Sequence, residues 1–292
     1  MKFLAKIIMK GWLQAILLTT IFAWLSIRFV PLALMSAGVG AMYTLCKGAN
    51  KGLLLFGTAA AITWGISLFV EVRPGLEIPV VLFVYLPVLL SSHALVMTQS
   101  QGYSVLVAAG CGLFSAIFIQ VISGDAVVWW SDWIKLAITG LQGATFEGFE
   151  HDGTLQIFNG LVAMVLSMVT FLCVLLGRSM QASQVNPGGC QTEFCALQIP
   201  SYGLTLTILF VVLAFFINQN LAYDVVIIAA MMYFFQGFAV LYATVINRGI
   251  KKGYLYPAYI LLFLAPQYAI IGFAMVGLLD VFMNFKIGRA HV

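Results

Sequence analysis

Runs free of Asp, Glu, Lys and Arg divide the chain at 11–27, 29–46, 52–70, 78–124, 153–177, 194–223, 225–247 and 253–279. A helix crossing a hydrocarbon core of about 30 Å needs about 20 mostly apolar residues, so most of these runs have the length of one crossing. The run 78–124 is too long for one and breaks at Thr98-Gln99-Ser100-Gln101-Gly102, while within 194–223 only 202–218 is continuously apolar. The pattern predicts an all-α, polytopic transmembrane helical bundle of eight or nine spans, forming one integral membrane domain over residues 1–292.

The ambiguity lies at the two ends. The first two spans are short, separated by little more than Arg28 and Pro31, and fit a tight helical hairpin. The last run, Tyr254 to Phe285, would reach about 48 Å as one helix. Pro257 and Pro266 interrupt it, giving either a tilted helix with an interfacial tail or a kinked, re-entrant pair. The first 27 residues are basic and then apolar without a small-x-small cleavage site, which reads as a retained signal anchor.

Composition agrees with this division. Apolar residues make up 62% of the 292 and charged ones 8%, against roughly 25% charged in soluble domains, and the mean hydropathy is +1.04. The placement of the bases adds direction. With the N-terminus cytoplasmic, Lys2, Lys6, Lys10, Lys47, Lys51, Arg178, Arg248, Lys251 and Lys252 fall inside, against Arg28, Arg73 and Lys135 outside. Lys286 and Arg289 in the tail would be external after nine crossings and internal after an even number. The expected location is a bacterial-type inner membrane, with the lipid bilayer as the main partner.

Two connections carry distinctive residues. The external segment 123–153 places Trp129, Trp130 and Trp133 beside Asp125 and Asp132, as in a helix at headgroup level. It ends in Glu147, Glu150, His151 and Asp152, and the whole segment reads either as an interfacial anchor or as a lid over an external cavity. Its acids lack the spacing of a calcium loop. The cytoplasmic loop 178–201 contains Asn186-Pro187-Gly188-Gly189, a strong turn signal. Beyond the turn, Phe194, Leu197 and Ile199 are expected to lie against the membrane before Pro200 opens the next span.

The chain carries little reactive chemistry. Cys46, Cys111 and Cys173 sit in apolar spans as small hydrophobes, and Cys190 and Cys195 lack two further metal ligands at a usable spacing. Gly-Lys never occurs, nor does His-Glu-x-x-His or Gly-x-Ser-x-Gly, so neither ATP hydrolysis nor another enzymatic role, and no cofactor, metal or nucleic acid, is expected. Small residues recur every four positions at Ala15-Thr19-Ala23, Ala33-Ala37-Ala41 and Gly57-Ala61-Gly65, spacing that brings helix backbones together, within the bundle or against a partner membrane protein. Polar side chains inside membranes are costly and tend to face a cavity or another helix. His93, Gln120, Asp224 and Gln236 are therefore the candidate substrate-binding residues. The alternatives are structural: a hydrogen-bonded histidine at His93 and a charge favouring the helix N-terminus at Asp224.

Three short motifs carry a family likeness. Asn186-Pro187-Gly188-Gly189 with Glu193-Phe194 and Ala196-Leu197, Gln236-Gly237-Phe238-Ala239, and Gly277-Leu278-Leu279-Asp280 with Phe285-Lys286 resemble the YybS-like predicted membrane proteins. That resemblance implies a loose relation to the substrate-binding S components of energy-coupling-factor transporters, hence an S-component-like core that takes up a small molecule without an ATPase of its own. The small-residue faces of the first three spans would then meet a transmembrane coupling partner. This chain carries more spans than such components usually do. The competing expectation is a non-transporting scaffold or assembly factor. Convergence of His93, Gln120, Asp224 and Gln236 on one pocket is expected of the first and not of the second.

Overall fold

A computed structural model describes residues 2–69, 80–138, 153–283 and 285. The acidic residues Glu147, Glu150, His151 and Asp152 lie outside them. Every described element is a helix: α1 Lys2–Lys10, α2 Trp12–Ser26, α3 Leu32–Lys47, α4 Ala49–Ser67, α5 Val80–Thr98, α6 Gln101–Ser123, α7 Ala126–Ile138, α8 Thr154–Val185, α9 Gly189–Cys195, α10 Ser201–Ile217, α11 Gln219–Asn247, α12 Tyr256–Leu264 and α13 Pro266–Met283. A single 3-10 turn, Lys252–Leu255, precedes α12. Helices α5, α6, α8, α11 and α13 are long and apolar enough to cross a membrane; α2, α3, α10 and the segment Gly253–Leu264 are shorter apolar helices.

Two helices organise the bundle. Helix α8 has 32 residues, about 48 Å of rise, and packs against α3, α5, α6 and α11. Its junction with α3 is close: a Cβ on Gly177 would lie 2.6 Å from the Met42 nitrogen and 2.9 Å from the Gly38 carbonyl oxygen. One apolar core joins α2–α5 to this side of α8, around Phe56, Tyr85, Val88 and Val174. A second, larger one lies between α6, α8, α11 and α13, where Phe171 and Phe235 meet edge to face at 4.7 Å. Helix α11, with 29 residues, is the centre of that second half and also receives α10 and α13.

Much of the surface outside these cores is apolar. Phe215, Phe216 and Ile217 on α10, Phe263 on α12 and Phe282 on α13 are all largely exposed. Water would penalise that area heavily, whereas hydrocarbon solvates it. This surface, together with the five long apolar helices, makes the chain a multi-pass membrane protein.

Several elements differ from the sequence expectation for identifiable reasons. Helix α8 continues past Arg178 to Val185, so the connection expected from 178 begins at Asn186. Nothing in 178–185 breaks a helix, and Pro187 forces the residue before it out of the helical region, where Asn186 has φ −147° and ψ 78°. Gly188 then takes φ +94°, a conformation that favours glycine, and opens α9. Leu197 and Ile199, expected against lipid, are instead 1% and 2% exposed and belong to the core between α6, α8 and α11. The last run bends at Ala265-Pro266. Tyr259 before the break and Phe273 after it both reach the Phe238 ring, at 5.8 and 5.5 Å between centroids.

Candidate functional site

Two buried polar clusters lie on α11, twelve positions apart and so separated by about 18 Å along its axis. The first surrounds Asp224, one turn into the helix. Asn218 caps that helix, its Oδ1 accepting from the Asn220 N–H at 2.8 Å. Asp224 itself is 2% exposed. Its Oδ2 accepts from Asn159 Nδ2 of α8 at 2.5 Å, and the same amide donates to the Ala116 carbonyl of α6 at 3.3 Å. Asn159 Oδ1 accepts from the Trp130 indole N–H of α7 at 3.1 Å. One asparagine thus ties α6, α7, α8 and α11 together.

The other carboxylate oxygen of Asp224, Oδ1, is buried and has no hydrogen-bond partner among the described residues. Gly160 makes room for it, since a Cβ there would lie 2.8 Å from both Oδ1 and the Asp224 Cα. Helix α7 forms the cover. Asp125 caps it, its Oδ1 accepting from Val127 N–H at 2.9 Å. Trp130 packs edge-on against Phe158 at 5.0 Å and is flanked by Trp129 and Trp133. The Asp224 carboxylate is thereby linked through Asn159 to the tryptophan-rich helix α7.

The second cluster surrounds Gln236, which is fully buried. Its Nε2 donates to Asp280 Oδ2 of α13 at 2.9 Å, and its Oε1 accepts from the Ile199 N–H at 3.1 Å. Asp280 Oδ1 accepts from the Phe285 N–H at 3.0 Å. The two helices touch here at glycines. A Cβ on Gly237 would strike the Phe273 carbonyl, and one on Gly277 the Tyr233 carbonyl. Two sequence motifs forty residues apart, Gln236-Gly237 and Gly277…Asp280, therefore form one helix crossing. Its polar atoms are used in joining α11 to α13 and to the segment before α10.

The expected convergence is not present. His93 is exposed on α5, and Gln120, near the end of α6, donates to the Gly124 carbonyl at 3.3 Å. Asp224 and Gln236 belong to separate clusters. Asn159 and Trp130 complete the first and were not singled out as site residues by the sequence. Asn159 had a usable signal, one of two amides, with Gln156, inside the apolar run 153–177.

At the opposite end of the bundle from Asp224, α9 is anchored to α8. Arg178 Nε donates to Glu193 Oε2 at 2.8 Å, Nη2 pairs with Glu193 Oε1, and Nη1 donates to Gln181 at 2.9 Å. This fixes Asn186-Pro187-Gly188-Gly189 as the turn of an ion-paired hairpin, with Phe194 against Phe238 and Tyr242. Burial and the nearby Glu193 raise the Cys190 thiol above its ordinary value, and Arg178 opposes them. A cleft of about 190 Å³ between α6, α10 and α11 is lined by apolar groups, among them Leu106, Leu113, Phe210 and Met232.

Neither a curated protein nor a solved structure matches the chain. Residues 145–281 match a family described as "Predicted membrane protein (DUF2232)", a segment that contains Asn159, Asp224, Gln236 and Asp280 and most of the second half of the bundle.

Proposed function

We propose that the chain is a membrane transport component without its own ATPase, and that it binds a small molecule at the Asp224–Asn159–Trp130 cluster. The observation that carries this reading is a buried acid whose Oδ2 accepts from Asn159, itself held by the Trp130 indole of a tryptophan-rich helix, while its Oδ1 is buried with no hydrogen-bond partner among the described residues. An ionisable group is expensive at membrane depth, and one kept beside an aromatic cover is a functional-site signal. On this reading the N-terminus is cytoplasmic, the membrane a bacterial-type inner one and the cluster near the external face, an orientation that the excess of Lys and Arg on the N-terminal side supports. On this reading the nine apolar segments give eight or nine crossings, with the bent α12–α13 pair deciding the count. The relation to YybS-like proteins and to S components of energy-coupling-factor transporters is part of this proposal.

The test is metabolite profiling of a deletion strain complemented with wild type or Asp224→Asn. Wild type should restore depletion of at least one small molecule from the medium, and Asp224→Asn should not. Equal profiles for the deletion, wild type and variant refute the proposal.

A second reading, a scaffold that docks another membrane protein, has its own observation. Ala15, Thr19, Ala23, Ala33, Ala37 and Ala41 are buried within the bundle, but Gly57 and Ala61 on α4 are exposed. A Cβ on Gly57 or Gly65 would meet nothing within 4 Å. Such an open small-residue face permits close approach of a foreign helix. Gly57→Leu should abolish recovery of a crosslinked partner on this reading and leave metabolite depletion intact.

A further inference from the structure

The end of the bundle that carries α1 is strongly basic, independently of any ligand at Asp224. Lys2, Lys6 and Lys10 recur every four residues on α1, and all three are exposed. Spacing of four keeps them in one stripe of the helix. Ala5 and Ile8, both buried, occupy the opposite side and hold α1 to the bundle, where Gln184 Nε2 of α8 donates to the Lys2 carbonyl at 3.1 Å. Phe3 and Met9 flank the lysine stripe and are also exposed. Exposed Lys47 and Lys51 sit at the same end, because Gln181, three residues before Gln184, donates to the Leu45 carbonyl at 3.2 Å. Among the described residues the acid at this end is Glu193, and it is already paired with Arg178.

We infer that the lysine face of α1 docks anionic lipid headgroups of the leaflet it borders. Among the described residues no acid forms an ion pair with the stripe. Its apolar flanks, Phe3 and Met9, are placed to enter the acyl boundary while the lysines stay at headgroup level. Since α1 also packs on α8 and α3, headgroup binding stabilises the folded bundle through linkage.

The test titrates the detergent-solubilised full chain with short-chain phosphatidylglycerol and, separately, with the matching phosphatidylcholine, reading the thermal unfolding midpoint. Phosphatidylglycerol should raise the midpoint, less so at high salt, and phosphatidylcholine should not. In Lys2→Gln/Lys6→Gln/Lys10→Gln the half-saturating phosphatidylglycerol concentration should rise roughly 10- to 100-fold, as expected for loss of three cations at an anionic surface. The corresponding triple arginine variant should behave as wild type. Equal responses to both lipids, an unaltered titration in the glutamine variant, or the same rise with inorganic phosphate alone overturns the inference.

Discussion

Gln236→Leu tests whether the crossing of α11 and α13 is held by its polar contacts. The substitution keeps side-chain bulk but removes two hydrogen bonds, to Asp280 at 2.9 Å and from the Ile199 N–H at 3.1 Å. An interhelical hydrogen bond in a membrane protein contributes about 0.6 kcal/mol on average and up to about 1.7. The larger effect is on what remains. The Ile199 N–H and Asp280 Oδ2 lose these partners in a site where Gln236 and Asp280 are 0% and 1% exposed, and a buried polar group deprived of a hydrogen bond costs about 1–3 kcal/mol. For the two groups the expected loss is therefore about 2–6 kcal/mol. Asp280→Leu should cost a similar amount, and the double variant less than the two single losses together, because removing the acid also removes the oxygen that Gln236 had bonded. Denaturant-induced unfolding in mixed micelles, followed by circular dichroism for all four proteins, supplies the cycle. A Gln236→Leu variant within about 0.5 kcal/mol of wild type, or strictly additive losses, would refute the reasoning, since additivity is what independent sites give.

Two further outcomes follow from contacts at other positions. Gly277→Val should destabilise by about 3 kcal/mol or more, the upper range for overpacking, because its Cβ would strike the Tyr233 carbonyl, whereas Gly57→Val on the open face of α4 should shift thermal unfolding hardly at all. At Cys190, whose thiol burial and Glu193 hold above the ordinary value, maleimide labelling at neutral pH in a background without the other cysteines should be slower than for a free thiol. Removing the nearby negative charge with Glu193→Gln lowers that value and should speed labelling, while Arg178→Gln removes the opposing influence and should slow it.

The helices were legible in the sequence because charges punctuate this chain. Each of the nine apolar runs is helical over most of its described residues, and most breaks coincide with a polar or glycine-containing turn such as Gly48 or Asn218. Arg178 misplaced one boundary, because its charge is balanced by Glu193 across the turn and imposes no end on α8. Leu197 and Ile199 were placed on the wrong solvent for a related reason: hydrophobicity alone does not distinguish lipid from protein interior in a membrane protein. The candidate site was only partly legible. Asp224 and Gln236 stood out as polar residues in apolar runs, but their partners Asn159 and Asp280 come from other helices at separations of 65 and 44 residues. No local periodicity encodes such pairings. His93 and Gln120 satisfied the same rule and lie apart from both clusters, since polarity marks a residue without saying which way its helix turns it.

The central claim is that the Asp224 cluster holds a ligand. Native mass spectrometry of the full chain released from detergent tests it directly, by comparing wild type with Asp224→Asn and with Gln236→Leu as a control for general destabilisation. A small molecule should be retained by wild type and Gln236→Leu and be absent from Asp224→Asn. Retention of the same molecule by Asp224→Asn, or no bound molecule in any of the three, would contradict it.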